Sequence, residues 1–140
     1  MPLKLNIVTM EREVYNADDV DAVVAPGSEG VLGILPRHEP IIAALKEGEV
    51  EIVRGGQRDV LAIGGGFIEV RGRQVIIMAD AAEHSDEIDL ARAERARQQA
   101  LDALAKAPVQ AERLDMIHAL RRAEARIKAA RRRRGDSARM

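Results

Sequence analysis

An α+β chain is expected from three observations. Residues 1–84 carry short apolar segments cut by turn residues, residues 85–140 carry apolar residues at helical spacing, and composition changes abruptly between them. Of the 11 glycines, 10 precede residue 85. The second part holds 14 of the 23 alanines but only 9 of the 35 Val, Ile and Leu residues. Charge divides in the same place: 8 Lys+Arg against 14 Asp+Glu before the break, net −6, and 14 against 9 after it, net +5. The formal net charge of −1 is therefore a cancellation between a β-rich and an α-rich unit.

Within the first unit, segments 3–8, 20–25, 30–35, 49–53, 59–63, 67–70 and 74–78 alternate or run apolar and read as strands. Pro26-Gly27, Pro36, Glu47-Gly48, Gly55-Gly56, Gly64-Gly65-Gly66 and Arg71-Gly72 punctuate them at spacings expected of an antiparallel sandwich or barrel. Nothing between them has the length of a crossover helix, so a doubly wound dinucleotide fold is excluded. The glycine triplet runs into Phe67, Ile68 and Val70 rather than into a helix. It reads as a bulge or tight corner, because a phosphate loop needs helical amides behind it. His38 lies in a Pro-bounded loop between Arg37 and Glu39 and reads as a turn histidine.

The second unit opens with Ser85 and Asp86 as candidate caps, with Glu87 and Asp89 in the first turn. Ala93, Ala96, Ala100 and Leu104 recur at steps of three and four up to Lys106, and Pro108 ends this helix or opens the next. Leu114, Ile117, Leu120, Ala123, Ile127 and Ala130 continue the spacing on a second helix. Two helices of about 20 residues, each about 30 Å long, make an antiparallel hairpin. So few large apolar residues leave it weakly held and able to undock.

Counting outward from a reversal at residue 108 puts Arg92 level with residue 124, bracketed by Arg122 and Arg126, and Asp89 level with Ile127. Three convergent guanidiniums suit a polyphosphate, since arginine offers paired donors to its oxygens. The same side chains can instead face solvent or pair with Glu124 and Asp89. The run Arg131 to Arg134 raises an alternative function, a free-standing basic-tail nucleic-acid-binding module. One Phe, one Tyr and no Trp leave almost nothing to stack on bases, and an acidic protein groove suits a basic amphipathic helix better.

Other classes fall away on composition. Without cysteine there is no disulfide framework or thiol nucleophile, and His38, His84 and His118 lie far apart, so no metal set and no enzyme are expected. No apolar run reaches the roughly 18 residues of a spanning helix. The start Met1-Pro2-Leu3-Lys4 lacks the apolar core of a signal peptide, so residence in the cytosol is the expectation.

Four segments carry a family resemblance: Gly27-Ser28-Glu29-Gly30-Val31-Leu32-Gly33-Ile34-Leu35-Pro36-Arg37-His38-Glu39-Pro40, Gly65-Gly66-Phe67-Ile68-Glu69-Val70, Ala79-Asp80, and Ile88-Asp89-Leu90-Ala91-Arg92-Ala93. In this order and spacing the chain resembles the epsilon subunit of bacterial F-type ATP synthase. The resemblance implies an antiparallel β-sandwich of about ten strands over residues 1–84. That domain would assemble on the gamma subunit beside the c-ring, with Glu29, Arg37 and His38 facing the ring. Residues 85–140 would form a regulatory hairpin that reaches the catalytic alpha/beta head and inhibits ATP hydrolysis. The implied subunit performs no chemistry itself, couples proton flow to ATP synthesis, and lies peripherally on the cytoplasmic side of the bacterial cell inner membrane. It needs no cofactor, and ATP would be its regulatory ligand. Ile88 and Ala93 would form an apolar wall, Glu83 and Asp89 would face the base, and Arg92, Arg122 and Arg126 the phosphates. Gln98 and Gln99 stand where nucleotide-binding members can carry another arginine, which implies weaker affinity.

Overall fold

A computed structural model describes residues 1–106 and 110–139, with side chains described for 1–106 and 113–132. Pro108 and the side chains of Arg133 and Arg134 thus lie outside the described residues. Strands β1 (Leu3–Val8), β2 (Glu13–Val20), β3 (Ala22–Gly27), β4 (Gly30–Ile34), β5 (Ile41–Arg54), β6 (Gln57–Arg71), β7 (Gln74–Ala79) and β8 (Ala82–His84) precede helices α1 (Leu90–Lys106) and α2 (Gln110–Arg139). Strand order is β2-β1-β7-β6-β5-β3-β4, with β8 on β6. All pairs are antiparallel except β1 with β7.

Strands β5 and β6 form one long hairpin. It turns on Gly55 and Gly56, both at positive φ (52° and 83°), which is the backbone twist a two-residue hairpin loop requires. Pairing then runs from Arg54↔Gln57 to Ile41↔Val70 without a register shift. The glycine triplet is therefore a corner and not a bulge. At Gly66 (φ 140°) a Cβ would collide with the Met78 carbonyl, so only glycine lets β6 bend there and stay paired to β7. The part of β6 before the corner pairs with β5 and β8, and the part after it pairs with β5 and β7. The two long strands thus belong to both layers of a sandwich. Eight strands are counted where about ten were expected, because β5 and β6 pass the corner unbroken.

Between the layers lies a core that includes Leu5, Ile7, Val23, Ile34, Ile52, Leu61, Ile63, Ile68 and Ile77, none more than 1% exposed. Full burial of each such side chain contributes about 1.5–3 kcal/mol. Segment 20–25, read as one strand, is split between β2 and β3 at Asp21, and β5 begins at Ile41 rather than at residue 49. A second, smaller cluster joins the hairpin to the outside of β6: Val60 and Ala62 pack with Ile88, Ala93, Ile127, Ala129 and Ala130.

The first helix starts at Leu90 and not near residue 85. Ser85–Glu87 form a single 3-10 turn, with His84 Nδ1 accepting the Asp86 N–H, and Ile88 is extended (φ −78°, ψ 125°). The reason is packing: inserting Ile88 between sandwich and hairpin requires a non-helical residue there. Asp89 then caps α1, its Oδ1 accepting the Arg92 N–H at 3.1 Å.

Edge strand β2 is pinned by its one aromatic. The Tyr15 hydroxyl donates to Asp59 Oδ2 at 2.7 Å, and Arg54 holds Asp19 at 2.9 and 3.3 Å. Burial, reinforced by the bond to Asp59, pushes the Tyr15 phenol up to about 12. A phenol raised above its unfolded value of about 10 adds stability that is whole below that pH and is lost as pH rises through the folded value. Tyr15 is the chain's one tyrosine, so ultraviolet titration reads it directly. The midpoint is expected near 12 in the folded chain and about 10 in denaturant. A folded midpoint at the unfolded value would mean that the contact to Asp59 is not made.

Candidate functional site

Strand β8 lays Glu83 beside Ala62 on the outer face of β6, and α2 carries Arg122 and Arg126 one turn apart over the same place. Arg126 Nε lies 2.7 Å from Glu83 Oε1, an ion pair whose N–H is not aligned on that oxygen. The stem of Arg122 rests on the bare backbone of Gly64, where a Cβ would come within 3.3 Å of both Arg122 Cδ and the Ala81 Cβ. These residues line a cavity of about 200 Å³ with Ala62, Ile63 and Ala82.

Of the seven residues expected around a nucleotide, Glu83, Arg122 and Arg126 meet at this cavity. Ile88 and Ala93 are buried in the packing between hairpin and sandwich. Asp89 and Arg92 are exposed at the head of α1. The expected level of Arg92 is displaced. Glu94 pairs with Arg131 at 3.6 Å, and Ala93 shares a buried cluster with Ile127 and Ala130. The first turns of α1 therefore stand beside residues 127–131 rather than 122–126. Counting from a reversal point ignores packing: Ala93, with only a methyl group, lets α2 come close enough for Ile127 and Ala130 to fill the space beside it.

Glu29 sits exposed in the β3–β4 turn, and Arg37 and His38 lie in the β4–β5 loop. Arg37 adopts φ 72°, unusual for a side-chain-bearing residue, and His38 is held by its N–H to Leu35 O at 3.1 Å and its Nδ1 2.7 Å from Glu39 O. In the arginine run, Arg131 pairs with Glu94, and Arg132 bridges Glu49 (3.1 Å) and Glu51 (2.9 Å). Burial alone disfavours the charged Arg132, and the bonds to Glu51 and Glu49 outweigh it, holding the group above its ordinary value. Cations already paired within the chain weigh against the nucleic-acid module.

Two features escaped sequence reading. The outer face of one layer is apolar: the register places Ala44, Phe67, Met78 and Val8 in one row, with Ile42 and Ile76 in the next. Ile42 is 77% exposed, Phe67 54% and Met78 48%. The signal was present, since Ile41-Ile42, Phe67-Ile68 and Ile76-Ile77-Met78 are apolar at both parities, and a strand that expects water on one face alternates. The second feature is a row of carboxylates on the other layer, Glu47, Glu49 and Glu51, each facing α2.

A sandwich with an apolar face that no described residue covers, joined to a basic hairpin held by ion pairs and small residues, defines a protein that works through contact surfaces. Residues 2–85 match the family described as ATP synthase, Delta/Epsilon chain, beta-sandwich domain. The ATP synthase epsilon chain of Herpetosiphon aurantiacus is 47% identical over 134 residues, covering 96% of this chain and 98% of the relative. That of Chloroflexus aurantiacus is 50% identical over 97 residues, 69% of each chain. A chain of the Euglena gracilis mitochondrial ATP synthase superposes with a TM-score of 0.79 at 27% identity, covering 89% of this chain and 78% of that one. A Tetrahymena thermophila mitochondrial ATP synthase chain shares the fold, with a TM-score of 0.69 at 15% identity over 93% and 97%. The chain belongs to the ATP synthase delta/epsilon chain family.

The contact of Arg122 on Gly64 yields a test of docking. Gly64→Val adds branched bulk where even one carbon is tight, so α2 should be lifted from the sheet. Tryptic cleavage after Arg121, Arg122 and Arg126 is expected to accelerate several-fold, with a smaller fall in the urea midpoint of the sandwich from the contact with Ala81. Unchanged cleavage would show that α2 is not seated on Gly64.

Proposed function

We propose that the chain is the epsilon subunit of a bacterial ATP synthase, a rotor element of the central stalk that performs no chemistry of its own. Residues 1–84 are its assembly domain and residues 85–140 its regulatory domain. The observation that carries this reading is the exposed apolar face around Ile42, Phe67 and Met78. Contiguous apolar surface of this kind marks a protein–protein interface. A gamma subunit is its occupant in this reading, with Glu29, Arg37 and His38 directed at the c-ring. The Euglena gracilis assembly that contains the structural relative is described as OSCP, F1 and c-ring, which supports such neighbours. Among the described residues no helix is long and apolar enough to cross a membrane. In this reading attachment is through these partners, on the cytoplasmic side of the membrane.

The hairpin inhibits ATP hydrolysis by reaching the alpha/beta head, and ATP favours its docked form. Binding sites for drug-sized ligands usually span about 300–1,000 Å³. The cavity at Glu83 is smaller, so ATP enters by opening it. Its phosphates compete with Glu83 for Arg126 and engage Arg122 and Arg92, while Asp89 faces the base beside Ile88 and Ala93. A ligand at a hundredfold excess over Kd stabilises the form it binds by about 2.7 kcal/mol, enough to bias a weakly docked element.

Three measurements test this. Phe67→Glu in the full chain should abolish copurification with the gamma subunit without lowering thermal stability, and retained copurification would remove the apolar face from the interface. Calorimetric titration with ATP should show binding that Arg92→Ala and Arg126→Ala each abolish, and unchanged affinity in both excludes this site. The assembled head should hydrolyse ATP faster with a chain ending at residue 84 than with the full chain. Equal rates would remove the inhibitory role and leave the rotor role standing.

A further inference from the structure

Helix α2 meets the sandwich on two parallel strips. One is apolar and small, with Ile127, Ala129 and Ala130 packed with Val60 and Ala62, and the Arg122 stem on Gly64. The other is ionic. Glu47, Glu49 and Glu51 are alternate residues of β5, so all three side chains leave the same face, paired across to Gly64, Ala62 and Val60. Their side chains are only 10%, 10% and 17% exposed. Opposite them His118 Nδ1 lies 3.1 Å from Glu47, Lys128 Nζ 3.4 Å from Glu49, and the Arg132 fork spans Glu49 and Glu51. Glu51 also meets the exposed Arg58 at 2.9 Å.

We propose that this acidic row on β5 is an electrostatic latch for α2, with Arg132 as its bolt, so that ionic conditions and competing anions set the fraction of hairpin docked. The inference rests on the reading of the hairpin as a mobile regulatory element. Its physical basis is an asymmetry. With α2 docked, Glu49 and Glu51 are nearly dehydrated, which is tolerable only beside a cation. With α2 released, three carboxylates on one strand face regain water. The latch therefore has two good states, closed with its cations and open in water, and a poor one, closed without Arg132, where Glu49 keeps only Lys128 at 3.4 Å and Glu51 only the exposed Arg58. Deleting the cation is worse than deleting the carboxylates, because arginine without partners remains solvated at its tip, whereas Glu49 and Glu51 stay covered with only Lys128 and Arg58 beside them.

The chain has no cysteine, so exposed Met10→Cys and Gln99→Cys place one dye on the sandwich and one on the hairpin of the full-length protein. Single-molecule energy transfer then counts docked and released molecules. The released-to-docked ratio should rise roughly tenfold in Arg132→Ala, as for loss of a charge-assisted pair, and less in Glu49→Gln with Glu51→Gln. In the unmodified pair of rows the ratio should climb from low to high sodium chloride, and in a Glu47→Gln, Glu49→Gln, Glu51→Gln variant that slope should vanish. An Arg132→Ala ratio equal to the parent, or a salt slope surviving the triple substitution, overturns the latch. ATPase assays of the assembled head keep the two proposals apart. Release on Arg132→Ala with no change in hydrolysis would sustain the latch and sink the regulatory role.

Discussion

Everything in this molecule depends on the β5–β6 hairpin bending at Gly64, Gly65 and Gly66 without losing register. Because pairing continues past the corner, the same two strands supply the middle of one layer and the base of the other, and the core between them closes. The three glycines answer different demands. Gly66 must let the Met78 carbonyl approach, Gly65 takes a positive φ of 101°, and Gly64 leaves the floor on which Arg122 lies. A side chain at the first would break the sheet, and a side chain at the last would press on both the Arg122 stem of the helix and Ala81 beside the sheet. Fold and docking are thus written into neighbouring residues that sequence alone cannot distinguish.

The corner also decides which face each layer shows. On one side of it the outward parity of β6 is Phe67 and Glu69, next to Met78 and Ile42, and among the described residues no element covers that surface. On the other side the outward parity is Val60, Ala62 and Gly64, which the hairpin covers. One strand therefore presents one surface to solvent and another to its own helix.

Much of this was legible in the sequence. The break at residues 84–85, the strand-rich first part and the two helices follow from glycine, alanine and charge content, which need no knowledge of contacts. Edge strand β2 was invisible because Glu13, Asn16, Asp18 and Asp19 give it the composition of a loop, and only pairing to β1 and the Tyr15–Asp59 bond make it a strand. The start of α1 is not legible locally, because Ser85 and Asp86 are good caps, whereas Ile88 is drawn out of helical geometry by a cluster whose members reach from Val60 to Ala130. For the site, residue types were readable and their company was not. Arg122 and Arg126 are legible as helical neighbours, but the carboxylate paired with Arg126 is Glu83 on a strand, and the first turn of α1 stands beside residues 127–131.

The charge cancellation that the sequence shows as a number is a contact in the structure. An acidic first part and a basic second part could have been separate faces tuned for separate partners. Instead Glu47, Glu49, Glu51 and Glu83 are paired to His118, Lys128, Arg132 and Arg126 within the chain. The apolar strip between hairpin and sheet, made mostly of alanine, contributes little area, since an alanine buries far less than the leucine or isoleucine that locks a permanent interface. A docking surface built of ion pairs and alanines has modest net strength, because desolvation of the charges offsets most of their attraction. Such a balance is a poor way to hold a domain permanently and a good way to hold one reversibly, since hydration of the released charges stabilises the open state almost as well as pairing stabilises the closed one.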